Sequence, residues 1–207
     1  MTKSKQPYPT ELNDTQWSKI RPYLPAEART GRPREHGWRM ILNGIFYLLQ
    51  SGCSWRMLPH DLPPWKTVYH YFRLWRMNGT WERLNKLIRE KVRLKFGKKR
   101  QSSATILDSQ SIKTSEGGLE CGFDAGKQVK RRKRHSLVDT LGLVVKVIVT
   151  AGNVQDRDGA KLLLKELAQQ ADTIKRLKLI WVDGSYRGTL IDWVAEHFGW
   201  KLEVVEK

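Results

Sequence analysis

Residues 104–109, Ala104-Thr105-Ile106-Leu107-Asp108-Ser109, form a short β-rich apolar run that closes on a carboxylate. Such a run reads as a strand. Residues 134–139 and 143–149 read as two more strands, joined by Asp139-Thr140-Leu141-Gly142, a good hairpin turn. Asp156 or Asp158 can cap a helix carrying Leu162, Leu163, Leu164 and Leu167. A fourth strand covers 177–182 and ends at Asp183-Gly184, a helix over 189–198 stops at Gly199, and a fifth strand covers 202–205. The order β-β-β-α-β-α-β predicts an α/β layer architecture for residues 104–207.

Upstream the period changes to that of helices. Asn13 or Asp14 can cap a short helix through Trp17 and Ile20, which Pro22 and Pro25 close. Leu42, Ile45, Phe46 and Leu49 fall at i, i+3, i+4 and i+7, and Ser51-Gly52 supplies the stop. Thr67 can cap a helix whose Val68, Phe72 and Trp75 share a face, leaving Lys66, His70, Arg73 and Arg76 off it. After Asn78-Gly79, the residues Trp81, Leu84, Ile88 and Val92 begin another stripe, surrounded by Arg83, Lys86, Arg89, Lys91, Arg93 and Lys95. Residues 1–97 are therefore expected to be an all-α domain, either a helix-turn-helix-like DNA reader or a bundle with solvated basic faces. Residues 98–103, with Lys98-Lys99-Arg100, are expected to be a basic linker.

Composition narrows the partners. The 207 residues hold 38 Lys and Arg against 21 Asp and Glu, a net charge of +17, which favours polyanions such as nucleic acid. Apolar residues make up 40% and there are nine Trp, which excludes wholesale disorder. No apolar run approaches the ~20 residues of a membrane span. The polar start, residues 1–9, predicts no secretory leader, and Cys53 and Cys121 have neither disulfide-framework nor zinc spacing. The expected location is the bacterial cytoplasm, on the nucleoid when DNA is bound. Residues 1–103 carry 21 basic and 7 acidic side chains against 17 and 14 in residues 104–207, so the front half reads as the electrostatic grip.

Two aspartates are candidates for chemistry. Asp108 and Asp183 each follow a strand-like run, where turn residues project above a rigid sheet. Brought together, they could hold a pair of Mg²⁺ or Mn²⁺ ions for phosphoryl transfer, because hard divalent ions take oxygen ligands; each could instead merely open a turn. Lys127, Lys130, Arg131, Arg132, Lys133 and Arg134 could contact DNA phosphates or form a solvated hairpin edge. Gly31-Arg32-Pro33-Arg34 is either a solvated linker or an arm laying Arg32 and Arg34 along a narrow minor groove. Gly126-Lys127 fails as a phosphate loop, since Cys121 and Gln128 occupy key positions, and the five histidines lack metal-ligand spacing.

These strings resemble a known family. Leu12-Asn13-Asp14-Thr15-Gln16-Trp17, Ser51-Gly52-Cys53-Ser54-Trp55-Arg56, Pro63-Pro64-Trp65-Lys66-Thr67-Val68-Tyr69, Leu107-Asp108-Ser109-Gln110-Ser111, Gln155-Asp156-Arg157-Asp158-Gly159-Ala160 and Trp181-Val182-Asp183-Gly184-Ser185-Tyr186 are similar to motifs of the insertion sequence 5 family of DDE-type transposases. The resemblance implies a ribonuclease-H-like catalytic domain over 104–207, behind a helical DNA-binding domain. Asp108 and Asp183 would be the first two members of a metal-binding triad, a two-ion Mg²⁺ or Mn²⁺ centre, for cleavage and strand transfer on insertion-sequence ends. The family's third member is a Glu on a later helix; Glu196, Glu203 and Glu206 do not match it, and no third carboxylate is assigned. The expectation is a C-terminally truncated enzyme, from a broken gene, a first reading frame joined to a second, or an incomplete record, that acts as a homo-oligomer on double-stranded DNA and is inactive or partial unless a second reading-frame product supplies the Glu. The alternative is a non-catalytic DNA-binding regulator derived from a transposase fragment.

Overall fold

A computed structural model describes residues 6–26, 34–113, 122–124 and 129–206, of which 113, 122–124, 129–131, 171 and 173 are described by backbone alone. They form two units, residues 1–88 and 89–207.

In the first unit, Asn13 caps α1 (Asp14–Ile20) through a capping box with Gln16, which satisfies two otherwise orphaned amides. Helix α2 (Trp38–Ser51) ends where Gly52 takes φ +67, the left-handed geometry that closes a helix without a Cβ clash. Helix α3 (Trp65–Met77) starts directly after Pro64, so Thr67 lies inside it and is not its cap. The Asn78-Gly79 break leads into α4 (Thr80–Lys95).

The core of this unit is built on Ile41, Leu42, Ile45, Val68 and Trp75. Gly44 lets α2 and α3 approach closely, since a Cβ there would stand 3.0 Å from a Val68 methyl. Leu49, expected in the α2 stripe, is 61% exposed; the inward face is set by Ile41 to Ile45 instead. Trp38 and Trp81 flank Trp75 with ring centroids 5.0 and 5.1 Å away, in the tilted and edge-on arrangements that aromatic quadrupoles favour.

The division between units falls inside α4, ahead of the basic stretch 98–103. Arg89 and Arg93, expected on a solvated basic face, are buried in the second unit. Arg93 donates to Asp139 Oδ2 at 2.6 Å, and Arg89 to the Val144 carbonyl at 3.0 Å. Stretch 98–103 is itself held there, with the Lys99 and Gln101 carbonyls accepting from Arg93 and Arg176.

The second unit is a mixed sheet of β1 (Ala104–Lys113), β2 (Gly122–Asp124), β3 (Val129–Asp139), β4 (Val144–Ala151), β5 (Leu179–Val182) and β6 (Lys201–Val204). Strand β3 pairs antiparallel with β1 on one edge and with β4 and β2 on the other, while β1–β5 and β5–β6 are parallel. Helices α5 (Asp156–Ala168), α6 (Ala171–Ile174) and α7 (Leu190–Phe198) complete it. Leu107 and Leu137, paired across β1 and β3, share one core with Leu163, Leu164 and Leu167 of α5 and with Leu190 and Val194 of α7. Each fully buried aliphatic side chain contributes about 1.5–3 kcal/mol.

The β3–β4 turn is built on Asp139: its Oδ1 accepts the Leu141 and Leu143 amides, and Gly142 takes φ +75. Strand β1 is longer than the run 104–109 because β3 pairs with it as far as Lys113. Strand β3 starts at Val129, so the basic run enters the sheet instead of staying outside it.

Candidate active site

Strands β1 and β5 run parallel, and Ile106 opposite Trp181 is their last paired rung. Two residues further along each chain stands an aspartate. Asp108 lies within β1, and Asp183 directly follows β5 in extended geometry at φ −83°, ψ −180°. Neighbouring strands lie about 4.8 Å apart, and residues at equal register face the same way. Strand pairing alone therefore places the two candidates side by side. Asp108, expected at a strand end, lies inside β1; it sits where β1 has lost its β5 partner but still pairs with Ser136 on β3.

One oxygen of each carboxylate is engaged locally. Asp108 Oδ1 accepts the Ser109 amide at 2.8 Å, while Asp183 Oδ1 accepts the Ser185 amide at 2.9 Å and its hydroxyl at 2.5 Å. Among the described residues the second oxygens have no hydrogen-bond or ion-pair partner. Asp183 also lines two open concavities of about 330 and 430 Å³, sharing Val205 and Glu206 between them.

A further aspartate, read in the sequence only as a helix cap, closes the back of the site. Gln155 occupies the cap position of α5, and Asp156 turns its carboxylate to the sheet. Asp156 Oδ1 accepts from Ser109 Oγ at 2.8 Å and pairs with Lys133 Nζ at 3.0 Å. Burial pushes the Asp156 carboxyl up, but the hydrogen bonds from Ser109 and Lys133, with the charge of Lys133 and His135, outweigh it and hold the group below its ordinary value.

Tyr186 is buried, and its hydroxyl lies beside Ser109 with no hydrogen bond of normal geometry. Burial raises its pKa; Ser109 opposes the shift, and the charges of Asp156, Asp108 and Asp183 add to it. His135, buried on β3, meets Thr150 Oγ1 at 3.0 Å and is pressed by Gly159 of α5, where a Cβ would come within 2.1 Å of the ring. Burial pulls the His135 pKa down, against the charge of Asp156 and with that of Lys133.

The basic candidates separate by surroundings. Arg134 is exposed and donates to Gln110 Oε1 at 2.6 Å, two rungs along the β1–β3 ladder from Asp108. Lys133 points the other way, onto Asp156 and the Val154 carbonyl. Arg132 is half-buried, Lys130 and Arg131 are described by backbone alone, and Arg32 and Lys127 lie outside the described residues. Lys66, Arg73 and Arg76 are exposed on α3, and Arg34 stacks its guanidinium 3.6 Å over Trp38.

Residues 99–203 match the family described as "Transposase DDE domain", and residues 12–85 match "Putative transposase of IS4/5 family". The chain belongs to the IS4/5 family of DDE transposases. Among its relatives, an insertion element IS402 uncharacterized 16.2 kDa protein of Burkholderia cepacia is 31% identical over 118 residues, covering 54% of this chain and 78% of the relative. The uncharacterized protein y4sN of Sinorhizobium fredii is 32% identical over 64 residues, covering 31% of this chain and 51% of that protein. Two solved structures, a Mos1 transposase paired-end complex with left transposon end and a Mos1 mariner paired-end complex with Mn, are 13% and 12% identical, each with a TM-score of 0.34. They are matched over 86% of this transposase and 61% of their own length, and at that score they carry no argument about it.

The DDE family uses divalent metal ions, and the donor set of this transposase fits one: two hard carboxylate oxygens, free and side by side on a rigid sheet. No cluster of three or more His, Cys, Asp or Glu with metal-binding geometry occurs among the described residues. Nor is any described helix long and apolar enough to cross a membrane. Sequence reading singled out Asp108 and Asp183 as candidates and did not single out Ser109, Asp156 or Tyr186, which the structure places near them. The available signal was Asp156, a carboxylate opening a helix straight after a strand.

Proposed function

We propose that this protein binds the ends of an insertion sequence and catalyses metal-dependent DNA cleavage and strand transfer. The equal register of Asp108 and Asp183 on adjacent parallel strands carries this reading. The strand order supports a ribonuclease-H-like catalytic domain: β4, β3 and β1 antiparallel, then β5 and β6 parallel to β1, with α5 and α7 packed into a shared core.

A divalent ion held by the free oxygens of Asp108 and Asp183 would activate the attacking water or 3′-hydroxyl and offset charge on the leaving oxygen. Ser109 and Ser185 fix the two carboxylates by their amides, so that they need not reorganise when a phosphate arrives. Arg134, already held in place by Gln110, offers charge to a phosphate flanking the one at Asp108. Lys66, Arg73 and Arg76 on α3, with Arg34 ahead of α2, supply the duplex grip, whether as a helix-turn-helix or as a basic helical surface. The chain is expected to act as a multimer on double-stranded DNA.

A Glu supplied by a second reading-frame product is part of this reading. The alternative reading is a non-catalytic DNA-binding regulator. The deciding experiment incubates the purified chain with DNA carrying insertion-sequence ends in Mg²⁺. Cleaved and joined products that vanish in Asp108→Asn and Asp183→Asn, with DNA binding kept, support the transposase reading. Binding without products, with a biological effect indifferent to both substitutions, identifies the regulator. Cleavage without joining would identify a nuclease.

A further inference from the structure

Asp108 and Asp183 sit on separate strands, and the rung between Ile106 and Trp181 is the last to join those strands directly. Beyond it, something else must hold the two carboxylates at a fixed separation. The first turn of α5 touches both sides. Asp156 accepts from Ser109, the residue after Asp108, at 2.8 Å, and it grips β3 through Lys133 at 3.0 Å. Arg157, next in the chain, reaches the Arg187 carbonyl in the segment that follows Asp183, at 3.4 Å. Gly159 presses the same helix flat on the His135 ring, which fixes its height above the sheet.

The Asp156 carboxylate is poorly suited to be a metal ligand itself. Its Oδ1 is occupied by both a hydroxyl and an ammonium, and the ammonium also donates to the Val154 carbonyl at 2.8 Å, so it is anchored at both ends. The geometry points to a positioning role: Asp156, clamped between Ser109 and Lys133, holds Asp108 and Asp183 at the separation at which they bind one divalent cation. This inference rests on the metal reading of the two aspartates. Partners one step behind the ligands commonly change metal affinity by about 10–100-fold when removed.

The test is Mn²⁺ binding by the full chain without DNA, followed through the loss of the free-ion electron paramagnetic resonance signal, with a thermal melt of each variant. Asp156→Asn should weaken Mn²⁺ about tenfold or more while the melting temperature stays close to that of the unmodified protein. Ser109→Ala should weaken it severalfold, and Ser109→Thr, which keeps the hydroxyl, should restore it. Asp108→Asn should abolish binding. If Asp156→Asn does not fold, the Ser109 pair decides alone.

Unchanged affinity in Asp156→Asn, or in Ser109→Ala, overturns the positioning role while Asp108→Asn still reports a metal site. Abolition by Asp156→Asn equal to that by Asp108→Asn also overturns it, in favour of direct ligation. Absence of Mn²⁺ binding in the unmodified chain, or indifference to Asp108→Asn, brings down the metal reading itself and the positioning role with it.

Discussion

Basic residues do opposite work in the two units. In the helical unit, Lys66, Arg73 and Arg76 stand exposed on α3 above a core of aliphatic and aromatic side chains. In the sheet unit, Arg93 is buried on Asp139, Lys133 on Asp156, and the largely covered Lys146 pairs with Glu166. The first set leaves its charge available to a polyanion; the second uses its charge inside the fold. A count of Lys and Arg therefore says where charge is, and only burial says what it is for.

The sharpest way to break this contrast is at Arg93. It is 5% exposed beside a carboxylate 1% exposed, so Arg93→Met should leave Asp139 buried without its counter-charge. Breaking a buried pair at one partner costs about 3–5 kcal/mol. Urea unfolding of the full chain should show a loss of that size, whereas Arg73→Ala should shift stability by less than about 0.5 kcal/mol. Equal, small effects at both positions would remove the distinction between the two sets.

Next in size is Gly159→Ala. The added methyl would stand 2.1 Å from the His135 ring, and the ring has no room to retreat because it is buried against Thr150. Overpacking of this kind costs about 1–3 kcal/mol. Gly37→Ala is the matched control, with nothing within 4 Å of the new atom. A neutral Gly159→Ala would mean that α5 is free to lift, and the anchoring of Asp156 would lose its support.

The legible parts of the sequence were those with a local signature. The Asn13 cap, the Gly52 and Gly199 stops, and the Asp139–Gly142 turn depend on residues within a few positions of each other, and they form as expected. Asp108 and Asp183 were legible as candidates because each follows an apolar run, but their adjacency depends on the β1–β5 register, which no local pattern encodes. The same limit hid Asp156, whose partners lie 47 and 23 positions back in the chain. Arg89 and Arg93 were misjudged for a further reason: at helical spacing a buried Arg with a distant carboxylate looks the same as a solvated one.

A third prediction moves from stability to DNA binding. Ala substitution at Lys66, Arg73 or Arg76 should weaken duplex binding and lower the salt-dependence slope by about 1 for each phosphate no longer neutralised, without altering the melt. Arg134→Ala should behave as the α3 residues do, although it belongs to the sheet unit, because it is exposed. Lys133→Ala should instead destabilise the fold and leave the salt slope nearly unchanged. The pair of neighbours on one strand is the most economical test, since they differ in burial and hardly in position.

The smallest expected effect is the pH dependence of the buried sheet. Burial lowers His135 below its unfolded value of 6.5, and the charge of Lys133 adds to this while Asp156 opposes it. Across the window between the folded and unfolded values, the unfolded chain binds more protons, so stability rises with pH and is fully present above about pH 6.5. Acidification below that point should cost stability at no more than about 1.4 kcal/mol per pH unit. Asp156 has the usual carboxylate sign, with a lowered folded value, so its contribution is present above 3.8 and lost only on further acidification. His135→Gln should flatten the stability profile just below about pH 6.5 and leave the lower step in place.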